Sequence, residues 1–144
     1  MKISSKLECG IVALIDIAIN SQHGKTVSIA GISKRQNIST KYLEQILVAL
    51  KQARLIRGQK GAGGGYLLSR PAEDIYFDQI INALDLTILS GNDNEGVSGI
   101  RRVMNDEIWR PLDEQLTGLT SGISLAQIAE KCAASEQEEF MYYI

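Results

Sequence analysis

The sequence predicts a mainly α-helical fold with a small β-hairpin wing: a winged helix-turn-helix followed by a long C-terminal helix. Two amphipathic segments joined by a tight polar turn occupy residues 28–53. A glycine-rich, basic turn between two short apolar runs follows within residues 55–71. Apolar residues then recur three or four apart from Ile100 to Leu119, the spacing of one helix face.

The elements can be placed in order. Ser5-Lys6-Leu7-Glu8 has the S-x-x-E pattern in which cap and third residue satisfy each other's orphan backbone donors, so the first helix is expected to start at Ser5. Leu7, Ile11, Leu14, Ile15 and Ala18 supply its apolar stripe, and the stretch from Asn20 to Lys25, with Gly24, ends it. Thr26 and Val27 favour extended backbone, and Ser28 is an N-cap for a short helix holding Ile29 and Ile32 on one side. Gly31 weakens that helix by up to about 1 kcal/mol relative to alanine. Gln36-Asn37-Ile38 forms the turn, and Ser39 caps the next helix, from Thr40 to about Ala53. There Leu43, Ile46, Leu47 and Leu50 follow the i, i+3, i+4, i+7 pattern.

Leu55-Ile56-Arg57 and Tyr66-Leu67-Leu68 read as hairpin strands around the tip Gln59-Lys60-Gly61-Ala62-Gly63-Gly64-Gly65. The glycines allow positive φ and close approach to a phosphate or a narrow groove. Glycine-rich loops can also cradle nucleotide phosphates, but those need a strand before and a helix directly after. Here a strand follows, with no Gly-Lys-Ser/Thr, which leaves a purely structural hairpin as the plainer alternative to a wing. Tyr76 to Leu84 reads as a helix with Phe77, Ile80, Ile81 and Leu84 inward, and Ser90 to Ser98 as a loop. The helix from about Gly99 to Leu119 is interrupted by Pro111, which should kink it or begin a new one. Ser124-Leu125-Ala126-Gln127 is a second capping box, opening a last helix with Leu125, Ile128, Ala129 and Cys132.

With 144 residues, 44% of them hydrophobic, the chain can bury a core of its own. The expected organisation is a winged helix-turn-helix over 1–85, a loop over 86–98, and a C-terminal helical region over 99–144. The net charge of −2 conceals a strong asymmetry. Residues 1–70 hold 11 Lys+Arg against 3 Asp+Glu, or +8, and residues 71–144 hold 4 against 14, or −10. Such a basic half points to a polyanion partner for that end alone. No apolar run reaches 18 residues and the N-terminus leads straight into polar sequence, so a soluble, cytoplasmic protein with no membrane partner is expected. Cys9 and Cys132 form no CxxC pair, and the single histidine, His23, lies in a loop beside Gly24. A zinc ribbon, a thioredoxin-type motif and a histidine-activated nucleophile are therefore disfavoured. Asp106, Glu107, Asp113 and Glu114 are the carboxylates left for an enzyme, and at helical spacing they make a solvated face. No enzymatic activity is expected.

With its apolar stripe inward, the Thr40–Ala53 helix presents Thr40, Lys41, Glu44, Gln45, Val48 and Lys51 on its other faces. These suit a helix in the major groove of double-stranded DNA: Gln can pair with adenine, Glu can accept from cytosine, and Lys41 or Lys51 can bind phosphate. The alternative is an ordinary solvated helix face. Ser39 and Tyr42 at the start of this helix, Ser4, Lys6 and Ser28 as backbone contacts, and Lys60, Gly61, Gly63 and Gly64 in the wing complete the candidate DNA-binding set.

The stretches Met1-Lys2-Ile3-Ser4-Ser5-Lys6, Ile38-Ser39-Thr40-Lys41-Tyr42-Leu43-Glu44-Gln45-Ile46-Leu47 and Lys60-Gly61-Ala62-Gly63-Gly64-Gly65-Tyr66-Leu67-Leu68 closely resemble the Rrf2 (IscR/CymR-type) bacterial transcription regulators. The resemblance covers nearly the whole chain. It implies a homodimer whose recognition helix enters the major groove, whose wing reaches the minor groove, and whose long C-terminal helix builds the dimer. Ile100, Met104, Ile108, Leu112 and Leu116 then become dimerisation candidates. Lys60 stands where many members carry arginine, which implies weaker insertion of this wing. Iron–sulfur members carry three closely spaced cysteines before the long helix, whereas residues 89–102 here contain neither cysteine nor histidine. Clusters need thiolate or imidazole donors, so no cofactor and no metal site is expected, and Cys9 and Cys132 read as small core residues. A thiol-based redox sensor is the alternative within the family.

The likeness is strongest to the cluster-free repressors of cysteine metabolism. The tail Glu138-Glu139-Phe140-Met141-Tyr142-Tyr143-Ile144 is similar to their aromatic terminus ending in isoleucine. In that subfamily the repressor partners with cysteine synthase, which makes Tyr142, Tyr143 and Ile144 candidate partner-binding residues, by capture of a terminal carboxylate. Packing of the tail on the dimer core is the other option. A module that binds an enzyme and has lost DNA binding is the rival from a different functional class.

Overall fold

The computed structural model describes residues 2–91, 96 and 98–142. Helices α1 (Ser5–Asn20), α2 (Ile29–Gln36) and α3 (Thr40–Gln52) are followed by an antiparallel hairpin of β1 (Ile56–Gln59) and β2 (Gly65–Leu68). Then come α4 (Phe77–Leu84), α5 (Ile100–Met104), α6 (Arg110–Ser121) and α7 (Leu125–Tyr142).

Serine caps set the starts of the first three helices. Ser4, not Ser5, caps α1: its hydroxyl accepts from the Leu7 amide at 3.2 Å and its carbonyl from the Glu8 amide at 3.0 Å. The helix starts at Ser5 as expected, with the cap one residue before it, and Leu7 reaches the core. Ser28 accepts from Gly31 at 3.0 Å and Ser39 from Tyr42 at 3.2 Å. The expected box at the last helix is also present: Ser124 Oγ accepts from the Gln127 amide and Gln127 Oε1 accepts from the Ser124 amide. Asn37 ends α2 in the left-handed conformation, which asparagine tolerates at a helix C-terminus.

One core gathers α1, α3, α4, the hairpin base and the start of α7. Leu43, Ile46, Leu47 and Leu50, the expected inner face of α3, are all fully buried, as are Leu14, Ile32, Ile75, Ile80 and Leu125. On α1 the stripe is rotated from the expected one. Ala13 and Ile17 join Leu7, Leu14 and Ala18 inside, while Ile11 and Ile15 are half-buried at its edge. Gly10 is buried, and a β-carbon there would sit 2.5 Å from the Leu84 methyls of α4.

Pro111 stands in the first turn of α6, the new helix expected there, without a break in helical backbone. Residues 100–121 run on helically through one π turn, Asn105–Trp109, in which the Arg110 amide bonds back to the Asn105 carbonyl. The wider turn accommodates the proline, which cannot donate to the preceding ladder. Asp106 pairs with Arg102 at 3.8 Å and with Arg110 at 3.3 Å, bracing that turn from outside. Beyond α4, Thr87 donates from both its hydroxyl and its amide to Asp85, which holds the Asp85 carboxyl below the usual carboxylate range.

Candidate nucleic-acid interface

The candidate surface is assembled from α2, α3 and the wing. Four fully buried apolar residues fix the rotation of α3 and leave Thr40, Lys41, Glu44, Gln45, Val48 and Lys51 exposed and Tyr42 half-buried against the core. The expected outer face is thus present residue for residue. Ser4, Ser28 and Ser39 use their hydroxyl oxygens as cap acceptors, which leaves each hydroxyl hydrogen to donate outward. A helix N-terminus with such a hydroxyl suits a phosphate oxygen. Lys6 is exposed.

The wing is stitched to the link between α1 and α2. Val27 and Tyr66 exchange both backbone bonds, at 2.9 and 2.8 Å, and the Thr26 hydroxyl donates to the Gly63 carbonyl. The tip closes through the Gly64 amide on the Gly61 carbonyl at 2.9 Å. Gly63 has φ of 76°, and a β-carbon on Gly64 would lie 2.4 Å from the Gln59 carbonyl oxygen, so both glycines are dictated by the turn itself. Lys60 and Gly61 are exposed at the tip. At the base, Arg70 donates to the carbonyls of Arg54 and Asp74 and to the Gln79 side chain.

The residue that orients α2 has no counterpart among the candidates read from sequence. Asp16 lies on α1 with its side chain wholly buried, accepting from Arg35 Nε at 2.9 Å, from a second Arg35 nitrogen at 2.7 Å, and from Gln36 at 2.8 Å. The Asp16 carboxylate raises the Arg35 guanidinium above its ordinary value, through the hydrogen bond first. A forked arginine matches both oxygens of a carboxylate, so the contact fixes orientation as well as distance. The available signal was an acidic residue between Ile15 and Ile17 on a helix otherwise buried there.

Among the described residues no group of three or more His, Cys, Asp or Glu side chains is placed to hold a metal ion. Cys9 on α1 and Cys132 on α7 are half-buried, and His23 is exposed in the turn after α1. Of the dimerisation candidates, Ile100, Met104, Ile108 and Leu112 are exposed and Leu116 is half-buried. Tyr142 is exposed, while Tyr143 and Ile144 lie outside the described residues. No helix among the described residues is long and apolar enough to cross a membrane.

Residues 3–131 match the family Rrf2, iron-dependent transcriptional regulator. The chain is 37% identical over 130 residues to the HTH-type transcriptional regulator IscR of Photorhabdus laumondii, covering 89% of this chain and 79% of that protein. CymR, the global cysteine regulator of B. subtilis, superposes with a TM-score of 0.77 at 27% identity, over 91% of this chain and 98% of CymR. IscR of T. potens gives 0.75 at 27% identity, over 92% and 88%.

Proposed function

Because the chain belongs to the Rrf2 family of DNA-binding transcription regulators, we propose that it is a homodimeric repressor of cysteine or sulfur metabolism genes that binds a palindromic operator without an iron–sulfur cluster. The observation that carries DNA binding is the outer face of α3, where Lys41, Glu44, Gln45 and Lys51 stand exposed on a helix locked by its buried side, beside a glycine wing. In this reading α3 lies in the major groove, Gln45 and Glu44 meet base edges, and Lys41, Lys51, Lys60 and the serine-capped helix starts meet phosphates. A two-fold dimer matches two half-sites of a palindrome. The exposed Ile100, Met104, Ile108 and Leu112 are offered for that dimer, with Leu116 at the inner margin.

The donor set supports the cluster-free part. Clusters need thiolate or imidazole donors; this chain has two cysteines on separate helices and a histidine in the turn after α1, and residues 89–102 contain none. Likeness to CymR over nearly its full length supports the link to cysteine. Cysteine synthase is the proposed co-regulator, reached through Tyr142, Tyr143 and Ile144. Removing the last four residues should abolish capture of cysteine synthase by a chain that still dimerises, and unchanged affinity ends that part.

Gel shifts at two salt concentrations test the rest. Affinity for operator DNA should fall steeply with salt. Gln45→Ala should weaken binding in a base-dependent way, whereas Lys60→Ala should weaken every sequence alike. Equal losses across sequences for Gln45→Ala contradict its place at a base edge. Retention of cysteine synthase with no retention of any DNA would instead mark an enzyme-binding module.

A further inference from the structure

Val48 is out of place on its surface. Among the described residues up to position 70, Ile3 and Val48 are the large apolar side chains left exposed, and Val48, at 54%, is the more open. It follows Glu44 by four residues and Gln45 by three, and precedes Lys51 by three, so it shares their face of α3. Single exposed apolar residues are ordinary on protein surfaces. This one lies in the middle of the polar row that the proposed function places against DNA. A β-branched residue there is also a poorer helix former than the Lys, Glu and Gln around it.

We infer that Val48 reads the C5-methyl group of a thymine in the major groove, in addition to the hydrogen-bonding contacts of Gln45 and Glu44. The inference rests on the reading of α3 as the recognition helix. A valine carries no donor or acceptor, so it cannot pair with a base edge or a phosphate. The apolar feature that the major groove offers it is the thymine methyl. Its χ1 is already restricted by the helix, so docking costs little rotamer freedom. Lys41 and Lys51 on the same helix supply the charge that draws this face to a polyanion.

The test uses the full chain and a duplex selected by it from a random-sequence pool. Each thymine is replaced in turn by deoxyuridine, which removes the methyl and keeps every hydrogen-bonding group. At one position per half-site the wild type should lose about fourfold in affinity, the factor corresponding to about 0.8 kcal/mol for one buried methyl. Val48→Ala should bind the thymine duplex more weakly by a similar factor and no longer distinguish it from the deoxyuridine duplex. Val48→Thr, which keeps one methyl at the same branch, should retain part of the discrimination. Val48 is exposed, so these variants leave the core untouched. A wild type indifferent to every replacement, or equal losses for wild type and Val48→Ala at every position, overturns the inference while leaving DNA binding intact. Failure to retain any duplex from the pool overturns the DNA-binding reading itself and this inference with it.

Discussion

The basic and acidic parts of the chain treat their apolar residues differently. Up to position 70 nearly all large apolar side chains are covered, and the open surface carries an excess of positive charge. From residue 100 onward Ile100, Val103, Leu112, Leu119, Phe140, Met141 and Tyr142 are each more than half exposed, beside an excess of carboxylates. Isolated soluble chains rarely leave that much apolar surface open. The contrast is that the apolar side chains of the first part are covered within one chain, by a core that also draws on Ile75, Ile80, Leu84 and Leu125, while the second part leaves an apolar face open that suits a covering partner.

The largest effect is expected inside the basic part. Arg35→Ala should cost about 3–5 kcal/mol, because it leaves the buried Asp16 carboxylate with Gln36 alone. Asp16→Ala should cost less, about 1–3 kcal/mol, since the Arg35 side chain is 41% exposed and can return to water. Urea unfolding followed by circular dichroism measures both. Equal costs would mean that the pair is not the buried anchor described above, and the comparison between the two parts would lose its firmest member.

The ease of reading the sequence follows the same divide. The turn-and-helix of residues 37–52 was legible because a 3.6-residue period, a serine cap and a left-handed asparagine all act locally. The wing was legible because its glycines are dictated by backbone geometry within a few residues. Asp16 was not, since its partners lie 19 and 20 residues away and only packing brings them together. Pro111 was legible as well: a proline forbids one hydrogen bond, and it stands in the first turn of a new α-helix, joined to the preceding one by a π turn. The candidate contacts on α3 were found by elimination, as whatever the buried stripe left outside.

The acidic part should respond to charge placed on its open apolar face. Ile108→Glu combined with Leu112→Glu should shift the proposed dimer toward monomer by at least about 2 kcal/mol, the scale of a central interface residue. The helical content should persist, because both side chains are exposed within the single chain. Sedimentation velocity across a concentration series reads this directly. An unchanged association state would move the covering body from a second copy to another partner and blunt the comparison drawn above. Weaker operator binding by the same variant should accompany dissociation, since each half-site then binds alone.

The smallest effect separates two neighbouring serines. Ser4 caps α1 with its hydroxyl, whereas Ser5 is the first helical residue and is exposed. Ser4→Ala should therefore cost about 1 kcal/mol, the usual loss for an N-cap. Ser5→Ala should be close to neutral, because alanine is the better helix former and the Ser5 hydroxyl has only a 3.9 Å contact with the Cys9 sulfur. Thermal unfolding of the two variants side by side decides between the two starts for α1. A larger loss for Ser5→Ala would restore the S-x-x-E cap and shift the first turn of α1 by one residue. Ser4 would then be free to offer its whole hydroxyl to a phosphate, and operator affinity would become the place to look for its effect.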